Sequence, residues 1–281
     1  MAKYKLPNLD IDIIKHPDDS TILDGLNQIP LFKRFLNNTI VPIKESYNEV
    51  ESYGDGWNIT AQSSPQIYQC LKEACGILGV KKVPKLTSEW FYAPTSFSAG
   101  NENFRIVISS GAIDLFEKEE LIFFLGHELG HYICGHKPYQ MLLEALYMPF
   151  IDNPSVKMWS TIVKVPLLDW YRKSDFTADR VGLLCCQNID VALRVMIKRA
   201  GLPKKCYDEI NIKAFLKQAF DFENHHVGNL DKIAKALSLR SCEYPWMVQR
   251  AAYLYEWYRS GEYQKIINKY KTISNCSKLI L

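Results

Sequence analysis

Apolar and polar positions along the chain follow two different periods. From residue 20 to 50 apolar positions recur at helical spacing, with a break at Ile29-Pro30, and "WNIT", 57–60, reads as a short strand after the turn signal "YGDG". "SSPQIYQCLKEACGILGV" predicts a helix with Ser64 as cap, Pro65 at the first helical position, and Ile67, Leu71 and Ala74 on one face, closing near Gly76 or Gly79. From Trp90 to Ser110 the pattern changes to short strand-like pieces, "EWFYA", "SFSAG" and "FRIVISS", separated by Pro94 and "GNEN", which predicts a small sheet. A helix follows from near Glu117 to near Gly135, and another is expected from Leu167 through "WYRKSDFTADRVGLLCCQ". Residues 189–281 read as further helices, without internal repeat or low-complexity segment. The prediction is a predominantly α-helical α+β chain forming one unit over residues 1–281. Its expected parts are an amino-terminal helical region at 1–55, a sheet and histidine-bearing helix at 56–138, and a helical lobe at 139–281.

The stretch "LIFFLGHELGHYICGH", 121–136, puts polar groups where the period asks for apolar ones. Ile122 to Leu125, Leu129, Tyr132 and Ile133 describe a face that belongs inside, so His127 and His131 sit where water is scarce. Four residues apart on a helix, both imidazoles project from one face and can converge on one ion. With Glu128 between them this is the HExxH arrangement, in which two neutral imidazoles bind Zn²⁺ and the glutamate takes a proton from water at the metal. The alternative is a pair of core histidines bonded to carbonyls. Gly126 and Gly130 lower helix propensity and point to a close packing partner on that side. His136, after Gly135, is expected to meet the last carbonyls of the helix.

A catalytic zinc needs a third protein ligand. In "RKSDFTADR", Asp175 and Asp179 share a helix face, so one carboxylate could ligate while the other accepts a hydrogen bond from a ligating histidine. Alternatively, Asp175 lies on a solvated face and Asp179 pairs with an arginine such as Arg180.

Composition narrows the partners. Of 281 residues, 47% are apolar and 23% charged, and a formal charge of +3 is too small to argue for a nucleic-acid surface. The amino-terminal residues show no signal-peptide core, since Asp10, Asp12 and Lys15 interrupt each apolar stretch. Eight cysteines without a CxxC fit a reducing cytoplasm, with Cys185 and Cys186 as inert core residues. Residues 141–170 come nearest to a membrane segment but are broken by charges and prolines. No span is expected, which leaves peripheral contact through two short apolar patches. His225-His226 read as a solvated loop.

Taken together, these stretches resemble the zinc metallopeptidases that include HtpX and the CAAX prenyl proteases, and within them the soluble bacterial branch without membrane spans. "QIPLFKRFL", "SSPQIYQCLKEACGILGV", "VISSGAIDLFEKEELIFFLGHELGHYICGH", "LLDWYRKSDFTADRVGLLCCQ" and "YPWMVQRAAYLYEWYRSGEY" carry the resemblance over most of the chain. It implies a gluzincin-like fold, a small sheet over two metal-bearing helices, with one Zn²⁺ per chain. The family's glutamate ligand falls at Asp175 and its outer aspartate at Asp179. Aspartate is one methylene shorter, a loss of reach of roughly 1.5 Å, so the second helix must sit closer or the metal bond lengthens. Thr95, Ser96 and Phe97 stand where the family has Asn-Ala-Phe on the sheet edge, and a substrate strand can still pair there through its backbone. Tyr244 replaces the histidine of a His-Pro pair and is a candidate donor to the oxyanion, or a packed aromatic. Arg250, at the family's arginine, serves either the site or a structural ion pair.

The expectation is a zinc-dependent endopeptidase acting on extended polypeptide, with Glu128 as general base. The alternatives are a degenerate peptidase acting as a polypeptide-binding, chaperone-like protein, and a zinc hydrolase for a small amide or ester.

Overall fold

A computed structural model describes residues 3–101, 103–147, 154–225 and 245–279. The amino-terminal region forms α1 (Pro17–Asn27), α2 (Phe32–Phe35), a π-helical turn (Leu36–Ile40) and α3 (Val41–Asp55). The break expected at Ile29-Pro30 is the α1–α2 turn, where Leu31 takes φ 66°. Next come β1 (Trp57–Ile59), α4 (Pro65–Leu78), β2 (Lys85–Glu89), β3 (Ser96–Ala99) and β4 (Arg105–Ser109). Ser64 and Gly79 flank α4 as the sequence predicts, with Gly79 at φ 70°. One expected strand is misplaced: β2 is "KLTSE", which takes only Glu89 of "EWFYA", and residues 90–93 lie beyond it in a non-strand connection where Trp90 is 90% exposed. The aromatic residues there imitate strand composition without a neighbouring strand to pair with.

The sheet order is β1-β2-β4-β3, with β2 and β4 parallel and the other pairs antiparallel, so β3 is an edge strand. Leu86, Ile106 and Ile108 turn into the larger core with α4 and with α6 (Lys118–Ile133), which follows the short α5 (Ser110–Leu115). On the opposite face Arg105 reaches Glu49 of α3 at 3.1 Å.

α7 (Lys137–Tyr147) and the long α8 (Pro154–Cys186) follow α6. α8 begins thirteen residues before the expected Leu167 and carries Pro166 within it. A proline inside a helix is a poor place to predict continuity, because it removes one backbone donor and crowds the preceding turn. Here Val163, Leu167 and Trp170 are fully buried on both sides of it, and packing decides. Among the described residues the remaining helices are α9 (Ile189–Arg199), α10 (Ile212–His225), α11 (Met247–Arg259) and α12 (Glu262–Leu279), with a 3₁₀ turn at Lys204–Glu209. The fold is α+β and mostly helical, as expected.

Among the described residues, two hydrophobic clusters divide the interior. The larger joins the sheet, α4, α6, the end of α8, α9, α11 and α12; the smaller joins α1, α2, α7 and the first half of α8. α6 and α8 pack closely where their glycines meet. A Cβ on Gly126 would lie 2.7 Å from Cys185 Cβ, one on Gly130 2.9 Å from Val181 Cβ, and one on Gly182 2.8 Å from the Phe123 carbonyl oxygen. The expected close packing partner of the two α6 glycines is therefore α8. No helix among the described residues is long and apolar enough to cross a membrane.

Candidate metal centre

α6 starts with a reciprocal capping box between Glu117 and Glu120, which satisfies donors at its first turn. From Glu120 to His131 every residue is buried, so the histidines are held among apolar neighbours as the pattern predicts. His127, His131 and Asp175 converge, each offering one ligand atom. The two Nε2 atoms are 3.2 Å apart, and Asp175 Oδ1 lies 3.3 Å from His131 Nε2 and 3.8 Å from His127 Nε2. A tetrahedral zinc with ligand bonds of roughly 2.0–2.1 Å sets neighbouring donor atoms about 3.3 Å apart, so this donor set fits the ion. The shortened carboxylate reaches because the glycines bring α8 against α6.

The outer nitrogens are occupied in a consistent way. His127 Nδ1–H donates to Asp179 Oδ1 at 2.9 Å, which leaves Nε2 as the lone-pair donor. Asp179 is in turn gripped by Arg250, whose Nε and Nη2 donate at 2.8 and 2.6 Å, while Nη1 reaches Asp175 Oδ2 at 3.3 Å. Burial raises the Asp179 carboxyl, but the Arg250 charge and hydrogen bonds outweigh it and hold it below its ordinary value. The arginine beside Asp179 is thus Arg250 and not Arg180, which instead donates to the carbonyls of Ile14 and Lys15.

His131 is backed through a second imidazole. Gly135, at φ 72°, closes α6 in a Schellman turn: its N–H reaches the Tyr132 carbonyl and the His136 N–H reaches the His131 carbonyl. The turn folds the His136 ring back so that its Nδ1 lies 3.0 Å from His131 Nδ1, and His136 Nε2 donates to Asp19 Oδ2 at 3.0 Å. With Nε2 of His131 as the atom that would face an ion, Nδ1–H is the donor and His136 accepts; Gln140 Nε2 lies 3.1 Å from the same Nδ1. Asp19 also accepts from Trp170 Nε1 at 2.8 Å and Thr177 Oγ1 at 2.6 Å. The expected contact of His136 with the helix carbonyls is made by its backbone, while its fully buried ring joins this relay. Asp19 was invisible to the sequence reading: it lies more than a hundred residues from its partner in an unremarkable "HPDDS".

Glu128 is held by two serines of the edge strand. Ser96 Oγ donates to one carboxylate oxygen at 2.7 Å and Ser98 Oγ donates to the other. Burial raises this carboxyl, but the Lys137 charge, the two histidines and the Ser98 hydrogen bond bring it down to about 2. Lys137 is itself buried, and its ammonium donates to the Ser98 carbonyl at 3.1 Å. Phe97, between the serines, points to the other side and is 39% exposed, while Thr95 precedes the strand and exchanges bonds with Ser109. The cavity enclosed by these groups has room for about 20 Å³, one water or one ion. Tyr244 and His226 lie outside the described residues, and His225 ends α10. Cys185 and Cys186 are fully buried thiols, and burial pushes Cys186 up to about 12, as expected of inert core cysteines.

A buried HExxH helix against a small sheet and a carboxylate-bearing second helix defines a metallopeptidase class. The chain belongs to peptidase family M48, whose family model matches residues 91–238. It is similar to a plastoglobule-localized metallopeptidase 48, chloroplastic, of Arabidopsis thaliana, with 27% identity over 276 residues covering 97% of this chain and 80% of that protein. No solved structure matches it.

Proposed function

We propose that this chain is a zinc-dependent endopeptidase in which His127, His131 and Asp175 hold one Zn²⁺ and Glu128 is the general base. The observation that carries the reading is the convergence of the three donor atoms beside an ionised, hydrogen-bonded Glu128. When bound, zinc supplies Lewis acidity toward the scissile carbonyl and acidifies the attacking water. Glu128 takes the proton of that water as its oxygen joins the carbonyl carbon, and passes it to the amine nitrogen as the C–N bond breaks. Ser96 and Ser98 hold the two carboxylate oxygens in place. Asp179 with Arg250, and His136 with Asp19, keep each ligating imidazole in the tautomer that presents Nε2.

The substrate is a polypeptide laid in extended form against the edge near residues 95–100, paired through the backbone of β3. Since the cavity admits little more than a water, entry of a peptide displaces some of the side chains that line it. A reducing interior such as the cytoplasm is the compartment this reading takes, on the spacing of the cysteines. The similar plant protein's name places that protein at plastoglobules in the chloroplast.

The test is zinc per chain together with hydrolysis of unfolded casein by the wild type, Glu128→Ala, Asp175→Ala and Asp175→Glu. The expected outcome is one zinc per chain, a loss of about 10²- to 10⁴-fold in kcat for Glu128→Ala with zinc retained, and loss of zinc in Asp175→Ala. Zinc-loaded wild type that cuts nothing until Asp175→Glu restores hydrolysis would replace this reading with that of a polypeptide-binding protein.

A further inference from the structure

Arg199, the last residue of α9, lines the same cavity as His127, Glu128, His131 and Asp175. The other charged groups of that cavity are engaged. Arg250 is spent on Asp179 and Asp175, Lys137 on the Ser98 carbonyl, Glu128 on two serines, and Glu144 on Lys44 at 2.9 Å. The neighbour Lys198 pairs with Glu120 at 2.6 Å. Arg199 is different: among the described residues its guanidinium makes no hydrogen bond and no ion pair, and its contact is the face of the Phe124 ring, 5.4 Å from the centroid. Burial and the Arg250 charge push it down to about 10, so it is still a cation at neutral pH.

A part-buried guanidinium with its donors unused is unfavourable for stability, since desolvation is not offset by a hydrogen-bonded counter-charge. A protein that needs a fixed positive charge for a ligand leaves one in this condition, because donors already held beside the site need little rearrangement when negative charge arrives. We propose that Arg199 binds an anionic oxygen of the peptide, either the scissile carbonyl oxygen as it gains charge or a free terminal carboxylate. The assignment rests on the peptidase reading above. Arg250 is held by Asp175 and Asp179, and Lys137 is anchored on the Ser98 carbonyl with its charge beside Glu128.

The experiment compares wild type, Arg199→Gln and Arg199→Lys, all zinc-loaded, on a peptide spanning a site cut in casein, made with a free and with an amidated carboxyl terminus. Zinc per chain, Tm and the Kd of a phosphonate dipeptide are measured alongside. Arg199→Gln is expected to lower kcat/KM by about 10²- to 10³-fold, Arg199→Lys to recover part of it, and zinc content and Tm to stay at or above the wild-type values. A loss in kcat that is equal on both peptides identifies the scissile oxygen, and a loss in KM confined to the free-carboxyl peptide identifies the terminal carboxylate. Activity within twofold of wild type on both peptides overturns the proposal, as does a loss that follows a fall in Tm or zinc and that lysine does not rescue. If zinc-loaded wild type cuts no casein, the peptidase reading fails separately. The dipeptide then decides for Arg199: a Kd at least tenfold weaker in Arg199→Gln supports it, and a smaller change overturns it.

Discussion

His127 and His131 stand one turn apart on one helix, yet opposite ends of the chain hold their outer nitrogens. His127 leans on a carboxylate directly, and that carboxylate is gripped by Arg250 from α11 near the carboxy terminus. His131 leans on His136 and, through it, on Asp19 in α1. The first arrangement is ionic, with one guanidinium serving two buried carboxylates; the second is an imidazole relay ending in a carboxylate that receives three neutral donors. Each belongs to the side of the molecule that supplies it, since Ala251 and Leu254 beside Arg250 on α11 belong to the larger hydrophobic cluster and Trp170 to the smaller. The candidate metal centre therefore sits where two cores meet, and both α1 and α11 must be docked for both imidazoles to be oriented.

Breaking the ionic side has the largest expected effect. Arg250→Ala leaves Asp175 and Asp179 buried without their counter-charge, and a loss of about 3–5 kcal/mol in unfolding free energy is expected from urea denaturation of the metal-free protein. Breaking the relay is milder for the fold and more selective for the ion. His136→Ala should weaken zinc binding by about 10- to 100-fold in a competition titration against a chromophoric chelator, while Tm of the metal-free protein falls less than in Arg250→Ala. Equal effects of the two substitutions on stability would erase the distinction between the two sides.

The smallest effect sharpens the comparison through pH. Burial raises the Asp19 carboxyl, but His136, Thr177 and Trp170 outweigh it and hold it well below the usual carboxylate range. A group depressed in the fold contributes stability that is present above its unfolded value, about 4, and that is lost as pH falls toward the folded one. Asp19→Asn should therefore be less stable than wild type at neutral pH and should show a shallower decline on acidification, read from unfolding free energies between pH 7 and 3.

Much of this centre was legible locally. The buried HExxH face and the glycines facing a close neighbour both follow from periodicity and propensity within twenty residues. The pairing of Asp175 with Asp179 on one face follows from a spacing of four. The misplaced strand at "EWFYA" shows the limit of composition, because strand formation depends on a partner that local sequence does not name. The continuation of α8 through Pro166 shows the same limit for helices.

By itself the sequence determined which groups are polar in an apolar helix, which pairs share a face, and hence the chemistry that this helix can hold. Only the tertiary structure decided that α8 comes close enough for an aspartate to reach, that Ser96 and Ser98 grip Glu128, and that Asp19, Arg199 and Arg250 arrive from three distant segments. Local periodicity orients a side chain with respect to its own helix, whereas a hydrogen bond needs two groups within about 3 Å, and that distance is set by how separate elements pack.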